Sequence, residues 1–196
     1  MKKLVIVGAS GHGKVVADIA KLNGYEEIVF LDDNEEVKSC FGYPVIGKTK
    51  DVTKIKGDKF VAIGNAEVRK RLSDSIDSVI LIHPDAVIAE GTVIGQGTVI
   101  MAGTVINSDV KIGRGCIINT CSSLDHDCII GDYVHVSVGA HLCGTVKIGS
   151  FTWIGAGVTV VNNVDVCADA MIGAGAVVVK NIEKAGTYLG VPAKLK

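Results

Sequence analysis

Sixteen aliphatic residues occupy every sixth position from Ile88 to Val178 without a break: Ile88, Ile94, Ile100, Ile106, Ile112, Ile118, Leu124, Ile130, Val136, Leu142, Ile148, Ile154, Val160, Val166, Ile172 and Val178. The next residue is often glycine, as at Gly95, Gly113, Gly131 and Gly149, and the fourth residue after each aliphatic is small or β-branched, as at Thr92, Thr98, Cys116, Cys128 and Ala140. A fixed period in sequence is one structural unit stacked on itself. Six residues with one large inward side chain make one short strand and one turn. Three such units close a triangular coil of about eighteen residues, so the repeat predicts a parallel β-helix of roughly five coils.

The rest of the chain reads differently. At 196 residues it suits one or two domains, and the break falls at His83-Pro84, where proline disfavours helix for the residue before it. Residues 1–82 are expected to form a Rossmann-like α/β domain and residues 83–196 the β-helix. Leu4-Val5-Ile6-Val7 is a continuous aliphatic run, as in a strand covered on both faces. Gly8-Ala9-Ser10-Gly11-His12-Gly13 follows as a turn, then a helix from Lys14 to Leu22, a strand at Ile28–Leu31 closed by Asp32-Asp33, and another at Phe60–Ile63 closed by Gly64-Asn65. Glu67 to Ser73 reads as helix and Val79 to Ile82 as a last strand. Strand, glycine turn, helix, strand is a βαβ unit.

The turn's glycines at 8, 11 and 13 miss the GxGxxG spacing, yet they allow close backbone approach, and the helix behind them aims free N–H groups at a diphosphate. Asp32 and Asp33 stand about twenty residues on, at a strand's carboxyl end, where a carboxylate accepts hydrogen bonds from a ribose or a base edge.

A net charge of -1 argues against a nucleic-acid partner, which needs clustered Lys and Arg, and 5% aromatic content leaves little for base stacking. The first apolar run is too short for a signal-peptide core or a membrane span. Six cysteines without a CxxC pair read as free, mostly buried thiols, which places the expected site of action in the cytoplasm.

A β-helix is a stiff rod, so chemistry must come from residues that break the repeat outward. In the sextet led by Leu124, Asp125-His126-Asp127 replaces the usual glycine turn. His126 is expected at a turn between two carboxylates. Histidine titrates near neutrality and suits proton transfer, and a carboxylate beside it orients the ring. His135 and His141 each precede an inward aliphatic and fall on different faces of one coil. No serine–histidine or cysteine–histidine nucleophile stands out by spacing.

Taken together, Gly8-Ala9-Ser10-Gly11-His12-Gly13, Leu31-Asp32-Asp33, Ala62-Ile63-Gly64-Asn65, His126-Asp127, His135-Val136-Ser137-Val138-Gly139-Ala140 and Gly190-Val191-Pro192-Ala193-Lys194 resemble the PglD/NeuD-type bacterial sugar acyltransferases over essentially the whole chain. The resemblance implies left-handed coils, a homotrimer, and acetyl transfer from acetyl-CoA to the amine of a nucleotide-linked amino sugar, with UDP the expected nucleotide. It assigns the nucleotide diphosphate to Ser10, Gly11, His12, Asp32, Asp33 and Gly64. The catalytic base falls on His126, its partner carboxylate on Asp127 where some members carry glutamate, and a polar residue of the reaction centre on Asn119. His135 falls at the thioester, and Ala156 and Ala174 at backbone positions along the pantetheine, with altered side chains. No metal is implied. Three other readings stay open: O-acetylation of a sialic-acid-type sugar, a hydratase using a metal held by His126, His135 and His141, and a non-catalytic scaffold.

Overall fold

The computed structural model describes residues 2–196 and divides into two compact units, one ending at Pro84 and one beginning at Asp85.

The first unit is a five-stranded sheet flanked by helices. Its strands are β1 (Lys3–Val7), β2 (Glu27–Leu31), β3 (Ser39–Cys40), β4 (Tyr43–Gly47) and β5 (Asp58–Val61), in the order β3-β4-β2-β1-β5. β1 runs parallel to both β2 and β5, and all of Leu4 to Val7 is fully buried, as the unbroken aliphatic run requires. After β1 the chain builds outward through β2 to β4, then returns to the other side of β1 as β5. The reversal places the loops that leave β1 and β5 side by side, and such a switch point is where open α/β sheets hold ligands. The helices are α1 (Gly11–Leu22) and α2 (Ala66–Ser73). Helix α1 begins three residues earlier than the sequence suggests, so Gly11-His12-Gly13 is its first turn rather than a loop before it. β6 (Leu81–Ile82) is held by Asn23 at the end of α1, whose amide bonds both the carbonyl and the N–H of Ile82 at 2.7 and 3.2 Å.

The second unit is a triangular prism of short parallel strands paired at intervals of eighteen residues. The first face carries strands beginning at Val87, Val105, Ser123, His141, Thr159 and Val177. The second carries those at Val93, Lys111, Ile129, Lys147 and Asp165. The third carries those at Val99, Ile117, His135, Trp153 and Ala170, and closes with Gly186–Leu189 and Lys194–Leu195. In the two-residue strands the aliphatic of the repeat is the second residue and faces in, and from Ile100 to Val178 every aliphatic of the repeat is buried.

The corners explain the rest of the repeat. From residue 91 to 175 every sixth residue has a positive φ, among them Gly91, Gly103, Asp109, Asp127, Asn163 and Gly175. Turns such as Ala89–Thr92 and Gly155–Val158 close with an N–H from the fourth residue to the carbonyl of the first. That combination is a type II turn, whose third residue must be left-handed. The glycines directly after the aliphatics answer a different demand: a Cβ at Gly95 or Gly149 would strike the backbone of the next coil.

Candidate active site

Two glycines of the first unit are required by packing. A Cβ on Gly8 would meet the Ile63 side chain at 2.6 Å and the Ala62 carbonyl oxygen at 2.8 Å, and one on Gly13 would collide with the Gly8 carbonyl. Gly11 and Gly64 are not: nothing lies within 4 Å of their Cβ positions, and neither has left-handed backbone. They border open space, one at the first residue of α1 and one in the loop after β5. Ser10 is the N-cap of α1, but its hydroxyl makes no capping bond. First-turn N–H groups have no intrahelical partner, so Gly11, His12 and Gly13 present donors at the positive end of the helix dipole. An anion fits there.

Around this turn the carboxylates are already engaged. Asp32 accepts the Ala9 N–H at 2.7 Å and the Asn34 N–H at 2.9 Å, which ties the glycine turn to the end of β2. Asp33 accepts the backbone N–H of Thr49 at 3.0 Å and its hydroxyl at 2.8 Å. Both carboxylates are therefore fixed by the loops around them. His12 has its Nε2 buried without a hydrogen-bond partner. Burial, then the Arg69 guanidinium, push its pKa down to about 4, so the ring is neutral at physiological pH. Arg69, almost fully buried, donates from Nη1 to the carbonyls of Ile63 and Gly64, both at 2.8 Å, and so fixes the loop after β5.

In the second unit, His126 sits at the apex of the corner between the first and second faces. Asp125, His126, Asp127 and Cys128 are the four positions of its turn, with Asp127 at the left-handed one (φ 60°). Aspartate tolerates that conformation better than most residues. The imidazole Nδ1 and the Asp127 carboxylate lie 2.8 Å apart, so Nδ1–H donates and Nε2 is left as the acceptor. The Asp127 hydrogen bond raises the pKa of His126 above its ordinary value, and the Asp125 charge adds to the effect. Asp125 accepts the His126 backbone N–H at 2.8 Å and the Asn107 side-chain amide at 2.7 Å, bracing the turn against the coil before it.

Asn119 belongs to the corner between the third and first faces, and His135 stands beside it on the third face. The Thr120 N–H donates to Asn119 Oδ1 at 2.8 Å, so the amide nitrogen of Asn119 faces His135 Nε2, at 3.1 Å. That nitrogen only donates, which puts the His135 proton on Nδ1. The His135 ring lies over Trp153 with centroids 4.6 Å apart, and Trp153 Nε1 donates to Ser137 Oγ at 2.8 Å. Ala156 and Ala174 are exposed at the apex of this same corner on successive coils, linked by the Gly175 N–H to the Ala156 carbonyl.

Thus the structure brings Asn119, His135, Ala156 and Ala174 to one corner and His126-Asp127 to the next, with the whole first face between them. His141 lies on that first face with Nδ1 2.9 Å from Ser123 Oγ. Sequence reading missed this pair, although eighteen residues, one coil, separate its members. His126, His135 and His141 stand apart within one chain, and no group of three metal-ligating side chains forms among the described residues. Gly144 was also missed. It lies one coil after His126, and the imidazole rests against it.

Comparison with known proteins accords with this geometry. Residues 3–76 match the PglD N-terminal domain family and residues 91–126 the bacterial transferase hexapeptide (six repeats) family. UDP-N-acetylbacillosamine N-acetyltransferase of Bacillus subtilis (strain 168) is 36% identical over 104 residues, which are 47% of this chain and 48% of that protein. An uncharacterised protein of Acanthamoeba polyphaga mimivirus is 34% identical over 96 residues, 44% of this chain and 20% of that protein. The chain therefore matches less than half the length of either curated relative. Among solved structures, the acetyltransferase domain of PglB from Neisseria gonorrhoeae is 40% identical with a TM-score of 0.96, each chain covered in full, and it has also been solved with acetyl coenzyme A. A variant of perosamine N-acetyltransferase from Caulobacter crescentus, in complex with CoA and GDP-perosamine, is 32% identical with a TM-score of 0.94, covering 100% of this chain and 97% of that one. On its two-part architecture, its histidine corner and these full-length matches, the chain belongs to the PglD-type hexapeptide sugar acyltransferases.

Proposed function

We propose that the protein transfers an acetyl group from acetyl-CoA to the amine of a nucleoside-diphosphate-linked amino sugar, with His126 as general base. The observation that carries this is the His126 corner. Asp127 holds Nδ1, and no hydrogen bond among the described residues occupies Nε2. The sugar amine attacks the thioester carbonyl carbon. The new C–N bond forms, the amine proton passes to Nε2, and the C–S bond breaks to release CoA as the thiol once the proton is returned. Asp127 stabilises the imidazolium in between. No covalent acyl-enzyme is required. The developing oxyanion needs a donor, a role assigned to a backbone N–H or to His135.

The nucleotide diphosphate is assigned to the N-terminus of α1, at Ser10, Gly11 and His12, with Gly64, Asp32 and Asp33 around it. The open Cβ positions at Gly11 and Gly64 support this. Ala156 and Ala174 are assigned to the pantetheine arm, and Asn119 and His135 to the acyl group. Because these residues and His126 stand at different corners of one prism, the complete site is assigned to a homotrimer that closes on the first face. Exposed Val87 and Val105 on that face support it. No helix among the described residues is long and apolar enough to cross a membrane, and six free thiols favour action in the cytoplasm.

The test is product analysis. The protein should acetylate a UDP- or GDP-linked amino sugar from acetyl-CoA, and the product should survive hydroxylamine, as an amide does. A hydroxylamine-labile product would establish O-acetylation in its place.

A further inference from the structure

Gly144 stands where a glycine has no backbone reason to be. It occupies the same corner column as Glu90, Ser108, His126, Asn162 and Lys180, so this position of the turn accepts a side chain in every other coil. Its φ is not left-handed, unlike those of Gly139 and Gly157. Nor would its Cβ strike the next coil, as that of Gly149 does. The three atoms nearest to that Cβ all belong to the imidazole of His126. A Cβ on Gly144 would lie 2.5 Å from His126 Nε2, 2.6 Å from Cε1 and 3.1 Å from Cδ2.

Resting on the role proposed for His126, we infer that Gly144 is a positioning residue for the base: the missing side chain is the space in which the imidazole keeps its bond to Asp127 with Nε2 unobstructed. The His126 side chain is about half exposed, so it can swing away from an added methyl group at little cost to the fold. The energetic consequence therefore falls on ring geometry and not on stability. A ring turned from that place loses the Asp127 Oδ2 contact, and misplacing a reacting group by about 1 Å costs on the order of 10²-fold in rate.

The experiment is Gly144→Ala, read four ways. Turnover at saturating substrates should fall roughly 10- to 100-fold. Melting temperature and the affinities for CoA and for the nucleotide sugar should match wild type. The His126 imidazole pKa, followed by NMR, should fall toward its ordinary value, because the bond to Asp127 is what raises it. In a His126→Ala background the same substitution should cost nothing further. Unchanged turnover and unchanged His126 titration would overturn the inference. So would a full additional loss in the His126→Ala background, or a loss confined to CoA affinity, since either makes Gly144 act on its own. If His126→Ala itself is silent, the proposed function fails first, and the two failures are thereby distinguished.

Discussion

Asp127 does two things with one side chain. It fills the left-handed position of its turn and binds the imidazole of its neighbour. Asp127→Asn keeps the shape and loses the charge, so its cost in turnover should be smaller than that of removing His126. Because the hydrogen bond raises the His126 pKa, and the base works deprotonated, the rising limb of the pH–rate profile should move to lower pH in Asp127→Asn. A limb that stays in place would show that the carboxylate does not set this titration. His12 carries a second pH signature. Its folded pKa of about 4 lies below the ordinary 6.5. Between those values the unfolded chain binds the proton and the folded one does not. The stability this confers is complete above about pH 6.5 and is lost as pH falls toward 4, roughly 3 kcal/mol in all. His12 resonances should stay flat until the pH nears 4, and His12→Gln should flatten the acid limb of unfolding. His126 and Asp127 were legible as residues because they replace a glycine turn. The bracing by Asp125 and Asn107, and the space at Gly144, were not. Both arise between coils, from residues eighteen apart whose side chains gain meaning only once the strands are stacked.

At the scale of elements, the period of six announced strands and corners with little ambiguity, since one inward aliphatic per sextet allows one register. It concealed which glycine bends the chain. The residue after the aliphatic draws the eye, but the left-handed position lies two further on, where Asp109, Asn163 and Asp169 stand beside the glycines. In the first unit β1 and β2 were readable from continuous apolar runs. β3, β4 and the 3₁₀ helix Thr49–Lys54 were not, because their exposed, alternating residues carry no such run. The early start of α1 follows from Gly13 packing against the Gly8 carbonyl, a contact that no helix propensity encodes. Gly11→Val places bulk in open space at the N-terminus of α1, so calorimetric titration should show nucleotide binding abolished while melting temperature and CoA affinity persist. Unchanged nucleotide affinity would remove the assignment. Leu124→Ala empties a fully buried position of the stack and should destabilise the β-helix by about 2–5 kcal/mol in denaturant unfolding.

For the whole molecule, the proposed function requires a nucleotide site on the α/β unit, a proton-transfer corner on the β-helix and a neighbouring copy to complete that corner. Light scattering at micromolar concentration should give three times the mass of one chain, and a monomer would leave His126 without its acyl-group partners. The central claim is that His126 carries the proton. It is tested by turnover of His126→Ala at saturating acetyl-CoA and amino sugar, across pH. His126→Ala should lose roughly 10²–10⁴-fold in turnover together with the limb that titrates near neutrality. Near-normal turnover with that limb intact would show the histidine to be a surface ion pair and place the base elsewhere.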